Sequence, residues 1–174
     1  VNSADLQKLE IFPTREEHLG AIRELAAVIW RAHYPGIISP EQIEYMLERM
    51  YSLDTLRNEV RSQGIQYDRL FLDGELIGFA SYGATLESRV MKLHKLYLLP
   101  IMHGRGFGSL LLRHCEREAR KRGMRRLVLT VNKQNSKAIK AYQRNGMRIA
   151  DSVVTDIGGG YVMDDFVMEK ELGG

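Results

Sequence analysis

Hydrophobic and polar positions along this chain change their period once, near Tyr67. Before that point apolar residues recur three and four apart, the spacing of one helix face. Leu19, Ile22, Ala26, Ile29 and Trp30 form one such stripe, preceded by a capping-box signal at Thr14-Arg15-Glu16-Glu17 and stopped near Tyr34-Pro35-Gly36. Ile43, Met46, Leu47 and Met50 form a second, opened by a Ser39 cap with Pro40 at the first helical position and Gln42 at the third. Leu53, Leu56 and Val60 mark a third helix that Gly64 ends. A short alternating strand from Lys8 to Phe12 precedes them and stops at Pro13.

From Tyr67 the pattern is that of strands. Asp73-Gly74 between Leu70-Phe71-Leu72 and Leu76-Ile77 predicts a tight hairpin. Gly78 and Gly83 in the second strand mark a bulge or a close approach by a ligand. A third strand runs from Val90 to Leu99, and a long amphipathic helix from about Phe107 to Gly123. Leu127 to Val131 is a short buried strand, parallel to its predecessor because a helix crosses between them. A helix from Asn135 to Asn145, capped by Gly146, precedes a closing hairpin of Met147–Thr155 and Tyr161–Glu169 around three glycines. The order is β-α-α(α)-β-β-β-α-β-α-β-β. It predicts an α/β (α+β) fold with a mixed, mostly antiparallel central sheet flanked by helices, as a single domain over residues 1–174.

Composition changes this picture little. A length of 174 residues, 44% apolar and 27% charged, suits one well-buried core. No continuous apolar stretch reaches membrane-helix length and no signal-peptide pattern opens the chain, so a cytoplasmic protein with no membrane partner is expected. Cys115 sits among Leu111, Leu112 and Ala119 at helical spacing, the setting of a buried inert thiol, and no metal-ligand spacing stands out. The net charge is +3, with basic residues concentrated from Arg113 to Arg126. Glu116 and Glu118 interrupt that run and no aromatic residue interleaves it, which fits a solvated helix face or an attraction for phosphates and argues against nucleic acid.

The chemistry concentrates between Leu96 and Tyr142. An apolar strand stops at Pro100, and Gly104, Gly106 and Gly108 follow at every second position before a helix begins. Strand, glycine turn and helix start together aim free backbone N–H groups and the positive helix end at one concavity, a site for phosphate oxygens. The dinucleotide frame G-x-G-x-x-G fails, because Ser109 stands three after Gly106, and no Gly-Lys followed by Ser or Thr makes a P-loop. After the next strand, Val131, Asn135, Ala138, Tyr142 and Gly146 fall in the frame V-x3-N-x2-A-x3-Y-x3-G, ending in Met147.

These two elements resemble the GNAT N-acetyltransferase superfamily, whose acyl-CoA loop Q/R-x-x-G-x-G/A is followed by N-x-x-A-x-x-x-Y-x-x-x-G-F. Here the loop reads His103-Gly104-Arg105-Gly106-Phe107-Gly108, with His103 in place of Gln or Arg, and Met147 in place of Phe. The resemblance covers the core from about Leu70 to Glu169. It implies acetyl-CoA as cosubstrate, with the backbone of Tyr97-Leu98-Leu99 pairing the pantetheine arm and the amides from Arg105 to Ser109 holding the pyrophosphate. It also implies that Asn135 contacts the CoA arm, although the same residue reads as a helix N-cap. Tyr142 matches the tyrosine that protonates the departing thiolate, and the reference pKa values of about 10 and 8.5 make that hydrogen bond energetically reasonable.

An acceptor amine with a reference pKa of about 10.4 must lose a proton at a cost of roughly 4–5 kcal/mol at neutral pH, and no base is marked for it. Five positions before Asn135 stands Thr130, where some relatives carry an acid. His94 has a suitable reference pKa, and also reads as an ordinary strand histidine. Trp30, His33 and Tyr34 cluster where acceptor specificity is expected, Trp30 reading equally as core. The stretch W-x3-Y-x-G-x-I-S-P-E-Q-I and the ending GGGYVMDDFVM are similar to bacterial polyamine-type acetyltransferases. Alternation lets only one of Asp164 and Asp165 face a cleft. Such a carboxylate raises the pKa of an amine beside it, so it is expected to hold the far nitrogen of a polyamine. Three readings follow: transfer to a small amine such as a polyamine, transfer to a protein N-terminus or lysine, and a non-catalytic acyl-CoA-binding module. A homodimer is compatible with all three.

Overall fold

The computed structural model describes residues 7–173. Seven strands form one sheet in the order β1-β2-β3-β4-β5-β7-β6: β1 Leu9–Pro13, β2 Gln66–Leu72, β3 Glu75–Ala84, β4 Val90–Leu98, β5 Arg126–Asn132, β6 Arg148–Gly158 and β7 Tyr161–Glu171. Neighbours are antiparallel except β4 and β5, which are parallel because helix α4 (Phe107–Lys121) crosses between them. Helices α1 (Leu19–His33), α2 (Pro40–Tyr51) and α3 (Leu53–Ser62) precede β2, and α5 (Ser136–Arg144) lies between β5 and β6. The element order is the expected one. Among the described residues no helix is long and apolar enough to cross a membrane.

Each face of the sheet has its own core. Leu19, Ile22, Ile29 and Trp30 of α1 and Leu56 of α3 are buried against Tyr67 and Phe79. Leu111, Leu112, Cys115 and Ala119 of α4 are buried on the other face against Leu70, Ala80, Met91 and Leu127. Each buried leucine or isoleucine among them contributes about 1.5–3 kcal/mol, so the helices are held chiefly by these stripes. The basic run of α4 points outward or lies toward its C-terminal end. Arg120 donates to the Leu172 carbonyl and Lys121 pairs with Glu118, at the end of the helix away from the glycine loop.

Local signals fixed several boundaries. Asp73 and Gly74 both have positive φ (49° and 85°), as a two-residue type I′ hairpin requires. Ser39 Oγ accepts the Gln42 N–H at 3.1 Å and Ser52 Oγ accepts the Thr55 N–H at 3.2 Å. The Thr14 box does not form. The Thr14 N–H is taken by the Tyr67 carbonyl at 2.8 Å, so the residue belongs to the sheet margin and its hydroxyl is buried without a partner. The chain turns instead at Arg15, whose N–H donates to His18 Nδ1, and α1 starts at Leu19.

Gly78 answers to a neighbouring strand rather than to a ligand. A Cβ there would lie 2.5 Å from Leu98 Cδ2 and 2.6 Å from the Tyr97 carbonyl oxygen. The pairing slips by one residue beside it, where Leu70 faces Gly78 and Phe71 faces Leu76. A second slip lies between β3 and β4, where Ser81 faces Lys95 and Tyr82 faces Leu93, leaving His94 as the extra residue.

Only Val90, Met91 and Lys92 of β4 pair with β5, at Arg126, Leu127 and Val128. Beyond them β4 continues on β3 to Leu98, while β5 continues on β7 to Asn132. The two parallel strands therefore part, and the open edge of β4 faces a cleft in the middle of the sheet.

Candidate active site

The cleft leads to the glycine loop. Gly104 and Gly106 have φ of 76° and 82°, a conformation that L side chains rarely adopt, and a Cβ on either would meet nothing within 4 Å. The first bonded N–H of the α4 start is that of Leu110, which donates to the Gly106 carbonyl at 3.0 Å. The N–H groups from Gly104 to Ser109 thus stand free of backbone partners among the described residues, in open space at the positive end of a 15-residue helix. Free N–H groups at a helix start are the donors that a phosphate group calls for. Gly108 lies beside β4, where a Cβ would make an ordinary contact 3.6 Å from Leu98 Cδ1.

Side chains around the loop are occupied with holding it. His103 Nε2 lies 3.2 Å from the Leu98 carbonyl oxygen. The Leu99 N–H donates to Ile77 of β3 at 2.9 Å, so alternation turns the Leu98 peptide groups toward the cleft. His103 therefore meets the edge on which a pantetheine arm is expected. Arg105 lies over the Phe107 ring at 4.9 Å and donates to Gln7 at 3.0 Å. The Ser109 hydroxyl accepts from Asn145 Nδ2 at 2.8 Å, which ties the start of α4 to the end of α5 and leaves the Ser109 N–H for a ligand.

Asn135 is the N-cap of α5, its Oδ1 accepting the Ala138 N–H at 3.3 Å, and it is only 7% exposed. His33, from the end of α1, reaches the same place. Burial and then the neighbouring His103 hold its pKa below the usual value, while Asn135 opposes them. One turn and more along α5, Tyr142 packs against the α4-side core. Burial, then Tyr34 and Cys115, push its pKa up, so it is a phenol rather than a phenolate at neutral pH. Its hydroxyl makes no hydrogen bond to any described residue and is free to donate.

The opposite wall is aromatic. The Tyr34 and Tyr97 hydroxyls are 3.1 Å apart, and the Trp30 and Tyr34 rings are 4.3 Å apart. Trp30 is 1% exposed and its indole N–H donates to the Tyr51 hydroxyl at 3.2 Å. It shapes the wall from inside the core. Desolvation raises the Tyr34 pKa to about 12, with Asp165 adding to the rise and Tyr97 opposing it. Tyr51 was not singled out in the sequence, although it continues the α2 stripe one turn beyond Leu47.

The acidic pair divides as alternation requires. Asp164 pairs with Lys133 at 2.5 Å and is 54% exposed at its side chain. Asp165 is 9% exposed, and its Oδ1 has no hydrogen-bond partner among the described residues. It shares its face of β7 with Met163, which packs on the α1–α3 core, and its charge reaches the Tyr34 hydroxyl. His94, at the β4 bulge, is exposed overall; desolvation of its ring and then Lys92 and Lys95 push its pKa down to about 4. Lys95 is locked away, with Nζ 2.7 Å from Glu59 Oε2 and 3.4 Å from the Met50 carbonyl. A lysine inside the run Leu93-His94-Lys95-Leu96 was the sequence signal for that buried pair.

The β6–β7 hairpin docks on α2. Tyr45 donates to the Ile157 carbonyl at 2.7 Å and Gln42 to the Val162 carbonyl at 3.2 Å. Glycine lets the turn lie against α2, since a Cβ on Gly158 would stand 2.8 Å from the Tyr45 hydroxyl.

Comparison with known proteins agrees with this fold. The model of the acetyltransferase (GNAT) family matches residues 21–147. The chain is 33% identical over 173 residues to a spermidine N(1)-acetyltransferase of Thermoplasma acidophilum, covering 97% of this chain and 98% of that protein. It superposes with a TM-score of 0.80 on the crystal structure of PaiA N-acetyltransferase from Thermoplasma acidophilum in complex with coenzyme A, at 34% identity, over 94% of this chain and 99% of that one. The ribosomal-protein-S18-alanine N-acetyltransferase of Escherichia coli shares the fold, with a TM-score of 0.70 at 22% identity over 95% and 94% of the two chains. The chain belongs to the GNAT family and is an acetyltransferase that uses acetyl-CoA.

Proposed function

We propose that the acetyl group goes to the primary amine of a small, multiply charged molecule such as spermidine, with Tyr142 as the general acid. The observation that carries this reading is Asp165, a buried carboxylate whose Oδ1 has no partner among the described residues and whose charge acts on the Tyr34 hydroxyl of the Tyr34–Tyr97 pair. A desolvated anion of this kind attracts an ammonium group strongly, because the surrounding dielectric is low and no side-chain cation among the described residues pairs with it. Two further features agree. The β6–β7 hairpin is docked on α2 through Tyr45 and Gln42 rather than standing free of it. The Thermoplasma relative named for spermidine aligns over nearly the whole chain.

In the reaction acetyl-CoA lies along the free edge of β4 with its pyrophosphate on the loop amides. The amine enters from the aromatic wall and attacks the thioester carbonyl. Tyr142, from the α5 side, donates its hydroxyl proton to the sulfur as the C–S bond breaks. Thiol release with spermidine, a monoamine of equal reach, and peptides with free N-termini or lysines tests the assignment. Spermidine is expected to give the highest kcat/KM. Asp165→Asn should lower it while Asp164→Asn leaves it unchanged, both with an unaltered KM for acetyl-CoA. Preference for a peptide would retire the small-amine reading, and acetyl-CoA binding without transfer to any amine would leave a binding module.

A further inference from the structure

We infer that Asp165 is the proton acceptor for the reacting amine itself, rather than an anchor for a distant nitrogen. The inference rests on the amine-acetylation reading above and assigns that site its missing base. Position is the first argument. Asp165 faces Asn132, the last residue of β5, at the level where β4 and β5 have parted and where the thioester must lie. Its charge reaches the Tyr34 hydroxyl, which bonds Tyr97 of β4, and the neutral Tyr34 is in turn a neighbour of Tyr142. The carboxylate and the thiolate acid thus converge on one cleft from β7 and α5.

Asp165 is also unoccupied on one oxygen among the described residues. Other groups of suitable chemistry are occupied or face elsewhere. Lys95 is bound to Glu59, and His33 stands at the loop end beside His103 and Asn135. His94 is flanked by Lys92 and Lys95, whose charges repel an incoming ammonium. Among the described residues, Asp165 alone of the buried acids has a side-chain oxygen without a partner.

The charged and titratable groups around it are Asp164 in its own strand, Lys92 of β4, Lys133 after β5 and Tyr34 of α1. Burial, with Asp164 second, raises its pKa, and Lys92 and Lys133 only partly oppose that. A carboxylate fixed as an anion would hold an amine in its protonated form. One reluctant to stay charged shares the proton instead, and desolvation lowers the amine's own pKa, so burial narrows the aqueous gap from both sides.

The protons balance as follows. The bound ammonium gives one proton to Asp165 and becomes a neutral amine. Its lone pair forms the C–N bond, the C–S bond breaks, and Tyr142 protonates the sulfur. The new nitrogen, cationic until then, gives its second proton back to Tyr142. The proton on Asp165 passes to solvent as product leaves.

The test compares spermidine with an O-alkylhydroxylamine of similar length, which is uncharged at pH 7 and needs no base to shed an ammonium proton. Asp165→Asn should lower kcat for spermidine by roughly 10²–10⁴-fold. The loss should shrink about tenfold per pH unit as solution deprotonates the amine. With the hydroxylamine the variant should stay within a few-fold of the unmodified enzyme, and Asp165→Glu should recover part of the spermidine rate. A raised KM for spermidine at unchanged kcat would overturn the inference in favour of the distant-nitrogen anchor. Equal losses with both acceptors would overturn it in favour of a structural role. The unmodified enzyme gives an independent check: an acid limb in kcat with spermidine that is absent with the hydroxylamine supports the base, and identical limbs contradict it. If the unmodified protein binds acetyl-CoA but turns over neither amine, the failure is that of the amine reading itself.

Discussion

Replacing Gly106 by valine separates the cradle from the fold that carries it. Gly106 has φ 82° and ψ −2°. An L residue held there costs about 1–2 kcal/mol, with a β-branched one at the upper end. Nothing lies within 4 Å of the added Cβ, so no packing penalty accompanies the strain. At about 2–4 °C per kcal/mol for a domain of this size, the variant should melt about 2–8 °C lower and remain folded. Acetyl-CoA at a hundredfold excess over Kd stabilises a binding protein by about 2.7 kcal/mol, or about 5–11 °C. The unmodified protein should show that shift and Gly106→Val should show none, because the isopropyl group occupies the phosphate's space. Gly160→Val is the matched control. Gly160 has φ 80° and open space too, but lies in the β6–β7 turn. It should lose comparable stability and keep the whole ligand shift. A Gly106→Val protein that retains the shift, or a Gly160→Val protein that loses it, would refute the placement of the pyrophosphate.

Three other outcomes follow from individual side chains. Tyr142→Phe should lower kcat by roughly 10²–10⁴-fold with the acetyl-CoA melting shift intact, and near-full turnover under chemistry-limited conditions would remove Tyr142 from the mechanism. Asp165→Asn should melt higher than the unmodified protein at pH 7. The native carboxyl has a raised pKa, so its stability contribution is fully present below the unfolded value of about 3.9 and is lost as pH rises through the folded one. The gain should therefore vanish in acid, and a melting point unchanged from acid to neutral pH would contradict the buried setting. Glu59→Gln strands the Lys95 ammonium, which is 3% exposed, and should cost about 3–5 kcal/mol in urea unfolding. A loss below about 1 kcal/mol would mean that the pair is solvated.

What could be read from the chain was what short spacing encodes. The Asp73-Gly74 turn and the Ser39 cap depend on residues within four positions, and both formed as expected. The loop glycines and the α5 frame were equally local, and so was the position of Tyr142. Thr14 failed because a partner 53 positions away in sequence, Tyr67, took its backbone N–H into the sheet margin. Gly78 was read as a bulge or a ligand's close approach; the register of β2 on β3 shows the bulge, and that of β3 on β4 shows that Leu98 fills the space. The choice between Asp164 and Asp165 was likewise a matter of register. Alternation said that one faces in, and the pairing of β7 with β5 decided which. The Tyr34–Tyr97 contact joins α1 to β4 across 63 positions, a convergence that no periodicity contains.

The most direct test of the account is a single-turnover reaction of the unmodified protein with labelled acetyl-CoA and excess spermidine, following thiol and acetylated polyamine together. The account predicts one acetylspermidine formed for each thiol released, at a rate far above that of thioester hydrolysis without amine. Thiol release that spermidine does not accelerate, or label found only on peptide amines when these are supplied in competition, would contradict it.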